Sequence, residues 1–306
     1  MSKQQDTNFK RRVIPLYMNG LRGRMLYIPS QEPKKTKQIL MLYGRRASLE
    51  RYFPLAELLS DYGTVSMPDL PGFGGMESFY KLGEKPTLDN LADYLAAFIK
   101  LRYKKRRLTI FGVSTGFVVA TRMLQKYPDL AKKVDLVISV GGFTRRDDFT
   151  FSKSKYWLYR LAAWWYSLGF VAWFTQSIIL QPACLKLIYA YKSRNDSFFK
   201  GLSVKDRNNR INSEIKLWHA NDFRTYAYTS KAILKMDLTN KQLNVPVYHL
   251  PIKDYPLINN AVVEQHMRIA YKDYDAHYIG KVSYYYDHEI PNLRAFVREA
   301  LKRSSL

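Results

Sequence analysis

A serine flanked by two glycines is the residue of this sequence best placed for nucleophilic chemistry. Ser114 lies in Gly-Val-Ser-Thr-Gly (residues 112–116), with apolar runs before it (residues 108–111) and after it (residues 117–120). The first run predicts a buried strand and the second a helix, so the motif predicts a sharp strand-to-helix turn that exposes the serine hydroxyl. The competing interpretation is that Ser114 has no catalytic role and lies in an ordinary strand-to-helix turn.

The elements around this serine alternate between strands and helices. The hydrophobic patterns predict strands at residues 12–18, 22–28, 38–43, 63–67, 107–112, 134–140, 245–250 and 277–286. They predict helices at residues 48–61, 87–102, 115–127, 260–270 and 291–302. This alternation predicts a mostly parallel sheet with helices on both faces. From about residue 145 to residue 235 the patterns are helical, which predicts a lid or cap inserted after the sixth strand.

Two further segments, together with the serine motif, resemble the α/β-hydrolase superfamily. Leu-Tyr-Gly-Arg at residues 42–45 is similar to the His-Gly segment after the third strand of that family, and residues 66–74 contain its Asp-x-Pro-Gly-x-Gly turn. The resemblance covers residues 38–145 well and residues 243–302 more loosely. It implies an α/β-hydrolase fold with an eight-stranded, mostly parallel sheet. Residues 1–145 and 241–306 would form the core, and residues 146–240 a helical cap.

The same resemblance implies a catalytic triad whose members follow the chain order serine, acid, histidine. Ser114 fits the nucleophile, Asp254 fits the acid after the strand at 245–250, and His288 fits the base before the final helix. A serine hydroxyl is a poor nucleophile until an imidazole takes its proton, and a carboxylate must orient that imidazole.

Each partner of the serine has competitors in the sequence. For the base, His266 falls within a predicted helix, and His277 opens the last predicted strand at the end far from the expected site. His219 and His249 are expected to be structural or surface residues. The alternative acids are Asp237, Asp273 and, after the sixth strand, Asp147 or Asp148; Asp287 is expected to point away.

The resemblance also places an oxyanion hole at the backbone amides of Thr115 and Arg45. Here the chain departs from the family, because Tyr43 replaces the usual histidine, and Arg45 and Arg46 replace smaller residues. An arginine at the mouth of the site would favour an anionic substrate. The alternative is that both arginines point to solvent.

The predicted cap contains a stretch of 25 residues (161–185) without a charged side chain. It is long enough to span a bilayer, but a single span would separate Ser114 from its predicted partners. We expect instead that it covers the active site and binds an acyl or aromatic substrate through Trp164, Trp165, Phe170 and Trp173. The alternative is a cap that also enters a membrane interface.

A formal net charge of +23 accompanies these motifs. The lysine and arginine clusters precede predicted parallel strands, so they are expected at the amino edge of the sheet, away from the catalytic edge. They suit an anionic membrane surface, whereas no nucleic-acid-binding motif accompanies them; a lineage-wide bias toward basic residues is the competing interpretation. The first residues lack the apolar core of a secretory signal, which predicts a cytoplasmic protein, with peripheral attachment to the inner membrane surface as an alternative.

Together these patterns predict a serine hydrolase that acts on a carboxylic ester or lipid with an apolar acyl group. The alternatives are a non-catalytic lipid- or membrane-binding protein on the same scaffold, and an acyltransferase. The single cysteine, Cys184, excludes an intrachain disulfide, and no residue spacing suggests a metal or another cofactor.

Overall fold

The computed structural model describes residues 3–32, 37–104, 106–192, 202–253, 255–278 and 293–303. The strands are β1 (Val13–Met18), β2 (Leu21–Ile28), β3 (Gln38–Leu42), β4 (Thr64–Pro68), β5 (Leu108–Val113), β6 (Val134–Val140), β7 (Val247–Leu250) and β8 (Tyr274–Ala276). They form one sheet in the order β1-β2-β4-β3-β5-β6-β7-β8. β1 and β2 are antiparallel to their neighbours and the other strands are parallel to one another. The predicted mostly parallel, eight-stranded sheet is confirmed.

Helices accompany this sheet. They are α1 (Lys3–Arg12), α2 (Leu49–Ser60), α3 (Leu88–Tyr103), α4 (Thr115–Lys126), α5 (Pro128–Ala131), α11 (Asn260–Ala270) and α12 (Leu293–Arg303). All but α1 and α5 correspond to helices that the alternation predicts. The first turn of α3 is capped by Thr87, whose hydroxyl accepts the Asn90 amide. Every residue of β5 is buried, because the strand lies between β3 and β6 in the middle of the sheet.

The predicted helical insertion after the sixth strand is also confirmed. It contains α6 (Lys153–Tyr166), α7 (Gly169–Phe174), a π-helical turn (Thr175–Ile179), α8 (Pro182–Lys192), α9 (Val204–His219) and α10 (Phe223–Ile233). Helices α7 to α10 share a small apolar core of their own, formed by Ala172, Leu180, Leu185, Ile211, Ile215 and Phe223. The division into a core and a cap at residues 145 and 241 stays a prediction.

The last strand differs from its prediction. β8 ends at Ala276, so His277 follows the strand at its carboxyl end instead of opening it. The Tyr274–Ala276 segment carries few large apolar side chains, and the apolar run further along the chain was the stronger strand signal. Most of that predicted strand, from residue 279 onward, lies outside the described residues.

The basic clusters lie where their position before parallel strands predicts. Arg106 and Arg107 precede β5, and Lys132 and Lys133 precede β6, so all four are at the amino edge of the sheet. Lys34, Lys35 and Lys105 lie outside the described residues.

Candidate active site

Ser114 occupies the turn between β5 and α4 with a backbone conformation that non-glycine residues rarely adopt. Its φ is 49° and its ψ is −118°. The Ser114 amide donates to the Val140 carbonyl at 2.9 Å, which ties the turn to the end of β6. Such a conformation costs about 1–3 kcal/mol and persists only where the surrounding structure holds it. The side chain is partly exposed, so its hydroxyl is available to a substrate.

The two glycines of the motif allow this turn to form. A Cβ on Gly112 would lie 2.7 Å from Cα of Phe117, and a Cβ on Gly116 would lie 2.5 Å from the Leu42 carbonyl oxygen. Backbone atoms cannot yield to such contacts as a flexible side chain can. The glycines therefore bring α4 against β5 and against the loop that follows β3.

That loop carries the predicted second half of an oxyanion hole. A Cβ on Gly44 would lie only 3.3 Å from Cβ of Ser114, so the loop backbone passes directly beside the serine. Thr115 is the first residue of α4, and the amides of a first helical turn have no intrahelical acceptor. Ser114, Thr115 and Arg45 all line one cavity of about 180 Å³.

Tyr43, the residue that replaces the usual histidine, holds this loop in place. It is buried, its ring stacks on Tyr52 at a centroid distance of 5.9 Å, and its hydroxyl donates to Asp69. Arg24 donates to the same carboxylate through Nε at 3.2 Å and to Glu50 at 2.6 Å. Burial raises the pKa of Asp69 to about 7, although Arg24 acts in the opposite direction. The departure at Tyr43 thus comes with a hydrogen-bonded support for the loop.

The Arg45 side chain turns into the site. Its guanidinium donates to the Ser230 hydroxyl and lies 5.2 Å from the centre of the Tyr226 ring. Burial lowers the pKa of this guanidinium. Its Nε atom is buried without a hydrogen-bond acceptor. Within the described residues, no carboxylate forms an ion pair with Arg45.

Arg46 has a different environment from its neighbour. Its guanidinium forms an ion pair with the buried Glu214 at 3.2 Å and lies 4.9 Å from the centre of the Trp218 ring. Arg46 therefore has a carboxylate partner within the protein, which it shares with Arg51 at 3.6 Å. Both arginines line the serine cavity, but Arg45 is the one with a buried donor that lacks an acceptor.

A second, apolar cavity of about 450 Å³ adjoins the first. The two cavities share three lining residues, Arg45, Tyr226 and Leu257. The rest of its lining comes from the loop after β6 and from the inner faces of α6 and α10: Phe149, Phe151, Tyr159, Ala162, Ala163, Tyr166, Phe223, Ala227, Ser230, Ile233 and Leu234. When an ester group lies at Ser114, an apolar chain attached to it could extend into this adjoining cavity.

The four cap residues predicted to bind substrate are not among those that line either cavity. Trp164, Trp165, Phe170 and Trp173 are exposed to solvent by 46%, 52%, 75% and 61%. Helical spacing is the signal that separates them from the lining residues. The residues of α6 that line the cavity are 159, 162, 163 and 166. Their spacing of three and four residues places them on one face of the helix.

The predicted acid and base, Asp254 and His288, lie outside the described residues. Tyr255, next to Asp254 in the chain, lines the cavity at Ser114. The Ser114 hydroxyl has no hydrogen bond from any side chain in the part of the chain that the structure describes. The triad therefore stays a prediction for these two members.

The alternative acids lie apart from the serine cavity. Asp147 and Asp237 both form ion pairs with Arg145, at 3.2 Å and 3.1 Å, and Asp273 is exposed. Asp148 is buried, and its Oδ2 accepts the backbone amides of Thr144 and Arg145. None of these four carboxylates lines the cavity at Ser114.

The alternative bases also lie apart from the serine cavity. His266 on α11 bonds Oδ1 of Asp148 through Nδ1 at 2.5 Å, which ties α11 to the loop after β6. His249 is buried in β7 beside the Ser139 hydroxyl, and burial lowers its pKa to about 3. His219 is exposed at the end of α9.

His277 requires a correction, because it does stand at the carboxyl end of its strand. Its ring lies against Tyr248 and Phe296, at centroid distances of 5.6 Å and 5.8 Å, and it does not line the serine cavity. The position of its side chain, and not its place in the strand, separates it from Ser114. Within the described ranges, no three His, Cys, Asp or Glu side chains come together as metal ligands would.

Comparison with known proteins gives matches at the level of structure alone. No protein-family model and no curated protein sequence matches the chain. A thermophilic esterase from Thermogutta terrifontis, solved with malate bound, is 16% identical with a TM-score of 0.67, over 96% of this chain and 99% of that one. A membrane phospholipase A, described as a bacterial virulence factor, is 14% identical with a TM-score of 0.67, over 98% and 90%. The epoxide hydrolase CorEH is 15% identical with a TM-score of 0.62, over 88% and 90%.

Proposed function

The chain has the α/β-hydrolase fold, and we propose that it is a serine hydrolase that cleaves carboxylic esters of apolar acyl groups. One observation carries the proposal: Ser114 stands at φ 49° on the turn after the central strand, with its side chain at a cavity bounded by Gly44. A strained backbone at this point indicates a function, since an ordinary turn would relax. The fold alone does not fix the reaction, as the three different activities of the similar structures illustrate.

In the proposed reaction, Oγ of Ser114 attacks the ester carbonyl carbon while a base takes its proton. His288 is the proposed base and Asp254 the carboxylate that orients it. The tetrahedral intermediate collapses, the bond from carbonyl carbon to alcohol oxygen breaks, and the alcohol leaves with the proton from the base. Water then attacks the acyl-enzyme with the help of the same base, and the acid is released as Ser114 recovers its proton.

Two backbone amides would stabilise the negative charge that develops on the carbonyl oxygen. We assign these amides to Thr115 and Arg45, because both residues line the cavity together with Ser114. Loss of one such donor typically lowers the rate by roughly 100- to 1,000-fold. The support of the loop by Tyr43 and Asp69 favours a catalytic site over a non-catalytic scaffold, because charge stabilisation needs donors that are held in place.

The shape and chemistry of the second cavity support an apolar acyl group. Its lining is mainly aromatic and aliphatic, and it joins the serine cavity at Tyr226 and Leu257. At about 450 Å³ it has the size and character of a small-molecule binding pocket. A cap element, α6, supplies one wall of the cavity, so the cap helps to select the substrate.

Arg45 extends this proposal to the charge of the substrate. Its guanidinium lies at the junction of the two cavities with one N–H unsatisfied. A buried donor without an acceptor destabilises the protein, and a ligand oxygen would remove that cost. We therefore assign to the site esters that carry a carboxylate or a phosphate near the scissile bond. The similar esterase was solved with malate bound, which is an anion that carries two carboxylates.

A fluorophosphonate probe tests the proposal directly. It should label the wild-type protein and fail to label Ser114→Ala, because only an activated serine attacks the phosphorus centre. A series of p-nitrophenyl esters with increasing acyl length should then give a maximum above acetate. Equal labelling of both proteins would remove Ser114 from its proposed role.

Two alternatives share the scaffold and give different results. A non-catalytic lipid-binding protein would bind acyl chains with no turnover and no labelling. An acyltransferase would be labelled, but it would consume the donor ester slowly until an acceptor alcohol or amine is added, to which the acyl group would then pass. Epoxide hydrolysis is disfavoured, because in that reaction the enzymes of this fold use a carboxylate where this chain has Ser114.

A further inference from the structure

Helix α6 has two apolar faces, of which only one is used by the cavity. Its inner face, with Tyr159, Ala162, Ala163 and Tyr166, lines the apolar cavity. On the other side of the helix, intervals of four and three residues place Trp157, Leu161 and Trp164 in one stripe, and Leu168 follows between α6 and α7. Those four side chains are 62%, 61%, 46% and 38% exposed.

The next helices of the insertion also carry large exposed apolar side chains. Phe170 and Trp173 on α7 are 75% and 61% exposed, and Leu187 and Tyr191 on α8 are 73% and 76% exposed. Single exposed apolar residues are common on protein surfaces, but many large ones on three successive helices indicate an interaction site. We call these helical surfaces (α6, α7 and α8) the cap face. Four of the five tryptophans of the chain, residues 157, 164, 165 and 173, lie on these helices.

The charge of this segment has one sign. Residues 149–195 contain six lysines and arginines and no aspartate or glutamate. Among them, Lys153 and Lys186 are exposed, and Arg160 lies 4.8 Å from the centre of the Trp157 ring, at the border of the aromatic stripe. An aromatic surface with basic residues at its border matches a bilayer interface, where rings sit at headgroup depth and cations meet anionic lipids.

The segment does not have the form of a membrane span. Among the described residues no single helix is long and apolar enough to cross a bilayer. One pair of helical segments, Gly169–Ile179 with Pro182–Tyr191, has the necessary length and composition together, but the pair is bent by 78°. Short helices that lie at an angle to each other, with one apolar face, suit a position in the plane of the interface.

We propose that the cap face docks the protein on an anionic lipid bilayer. A second copy of the chain is a poorer occupant, because a symmetric contact would bring two uniformly basic surfaces together without a carboxylate between them. Docking would place α6 at the membrane with the apolar cavity on its inner face. The proposal does not depend on ester hydrolysis, since it rests on the outer surface of the cap alone.

Vesicle sedimentation tests the docking surface. Wild-type protein should sediment with vesicles of phosphatidylcholine and phosphatidylglycerol (7:3) and much less with pure phosphatidylcholine. Replacing three apolar residues (W157Q, L161Q and L187Q) should lower the partition coefficient on anionic vesicles at least tenfold. Replacing three basic residues (K153Q, R160Q and K186Q) should lower it by roughly 100-fold, since each basic residue near an anionic surface contributes about fivefold.

A matched control removes the same charge from the opposite side of the molecule. R106Q, K132Q and K133Q lie at the amino edge of the sheet, and this variant should sediment like the wild type. Ser114→Ala should also sediment like the wild type, which keeps the test separate from that of the catalytic proposal. If the amino-edge variant loses binding and the cap variants keep it, the docking surface is wrongly placed.

Fluorescence of the unmodified protein gives a second measurement that needs no variant to fold. Phospholipids brominated on their acyl chains should quench the tryptophan emission on anionic vesicles, because four of the five tryptophans lie on the cap helices. Sedimentation without quenching would overturn the proposal, and so would a lack of sedimentation. A concentration-dependent dimer that is abolished by W157Q, L161Q and L187Q, with no vesicle binding, would assign the cap face to a second copy instead.

Discussion

The backbone of Gly44 lies against the side chain of Ser114. A Cβ atom at Gly44 would stand 3.7 Å from Oγ of Ser114 and 3.3 Å from its Cβ. The loop after β3 and the turn after β5 therefore form one unit, in which a change on the loop acts on the serine. β3 and β5 are neighbours in the sheet although β4 lies between them in the chain, so this contact comes from the strand order.

Gly44→Ala should lower the rate of ester cleavage at least tenfold with little loss of stability. The new methyl group makes a tight contact with Ser114. A small shift relieves this contact, but it displaces the Ser114 side chain from its rotamer and moves the oxyanion amide. Steady-state kinetics on a short p-nitrophenyl ester measures the effect. Gly169→Ala is the control, because its nearest neighbour at 3.3 Å is the flexible Arg224 side chain. Equal rates for the two variants would contradict the assigned role of the loop.

Ser114→Gly should be more stable than Ser114→Ala by about 1 kcal/mol, because glycine adopts the positive φ of this turn without strain and alanine does not. Neither variant should react with a fluorophosphonate. Chemical denaturation with urea compares the two free energies of unfolding. An alanine variant as stable as the glycine variant would mean that the turn is not strained in solution.

Arg45→Met should abolish a preference for anionic esters. For an aryl hemisuccinate, kcat/KM should fall by roughly 10- to 100-fold, the usual size of a hydrogen bond to a charged group. For the neutral butyrate ester of the same alcohol, it should change little. Comparison of the two substrates in one variant separates charge recognition from general damage to the site.

The same substitution should leave stability unchanged or raise it, because it removes a buried charge that has no carboxylate partner among the described residues. Arg46→Met is the matched control. It breaks an ion pair with the buried Glu214 and should lower the melting temperature. Loss of stability in Arg45→Met alone would indicate that Arg45 is a structural residue.

Ala162→Phe should shift the acyl-chain preference toward shorter esters. The larger ring enters the apolar cavity from the inner face of α6 and excludes the distal part of the chain. Each methylene that loses its contacts should lower kcat/KM about fourfold, from roughly 0.8 kcal/mol per group. Ala183→Phe, at an exposed position of α8, should keep the wild-type profile. An unchanged optimum in Ala162→Phe would mean that the acyl chain binds elsewhere.

The free energy of unfolding should contain a term from Asp69 that decreases with rising pH. The folded-state pKa of this carboxyl, about 7, lies above the usual unfolded value of about 3.9, so folding takes up a proton between these values. Its contribution is complete below about pH 4 and is lost as the pH rises through 7. Urea unfolding from pH 5 to pH 8 should therefore give a steeper decline for wild type than for Asp69→Asn. Parallel curves would show that Asp69 is already ionised at pH 5.

The local features of the site were predictable from sequence. The Gly-x-Ser-x-Gly motif, between an apolar strand and an apolar helix, determined the turn at Ser114, because the glycines and the hydrophobic period act within a few residues. The bounds of most central elements follow from the same short-range patterns. The helical insertion after β6 was also visible, since the strand pattern stops there.

Contacts between distant parts of the chain decided the rest. The sequence left the direction of Arg45 and Arg46 open. Packing placed both at the serine cavity, and it paired only Arg46 with a carboxylate, that of Glu214, 168 positions away. Hydrophobic composition indicated an aromatic cap, but only the placement of α6 showed which aromatic residues line the cavity and which face outward. Tyr43 looked like a defect in the motif because its partner, Asp69, lies on another strand end. A side chain takes its role from its neighbours in space, and the folded sheet brings these neighbours together.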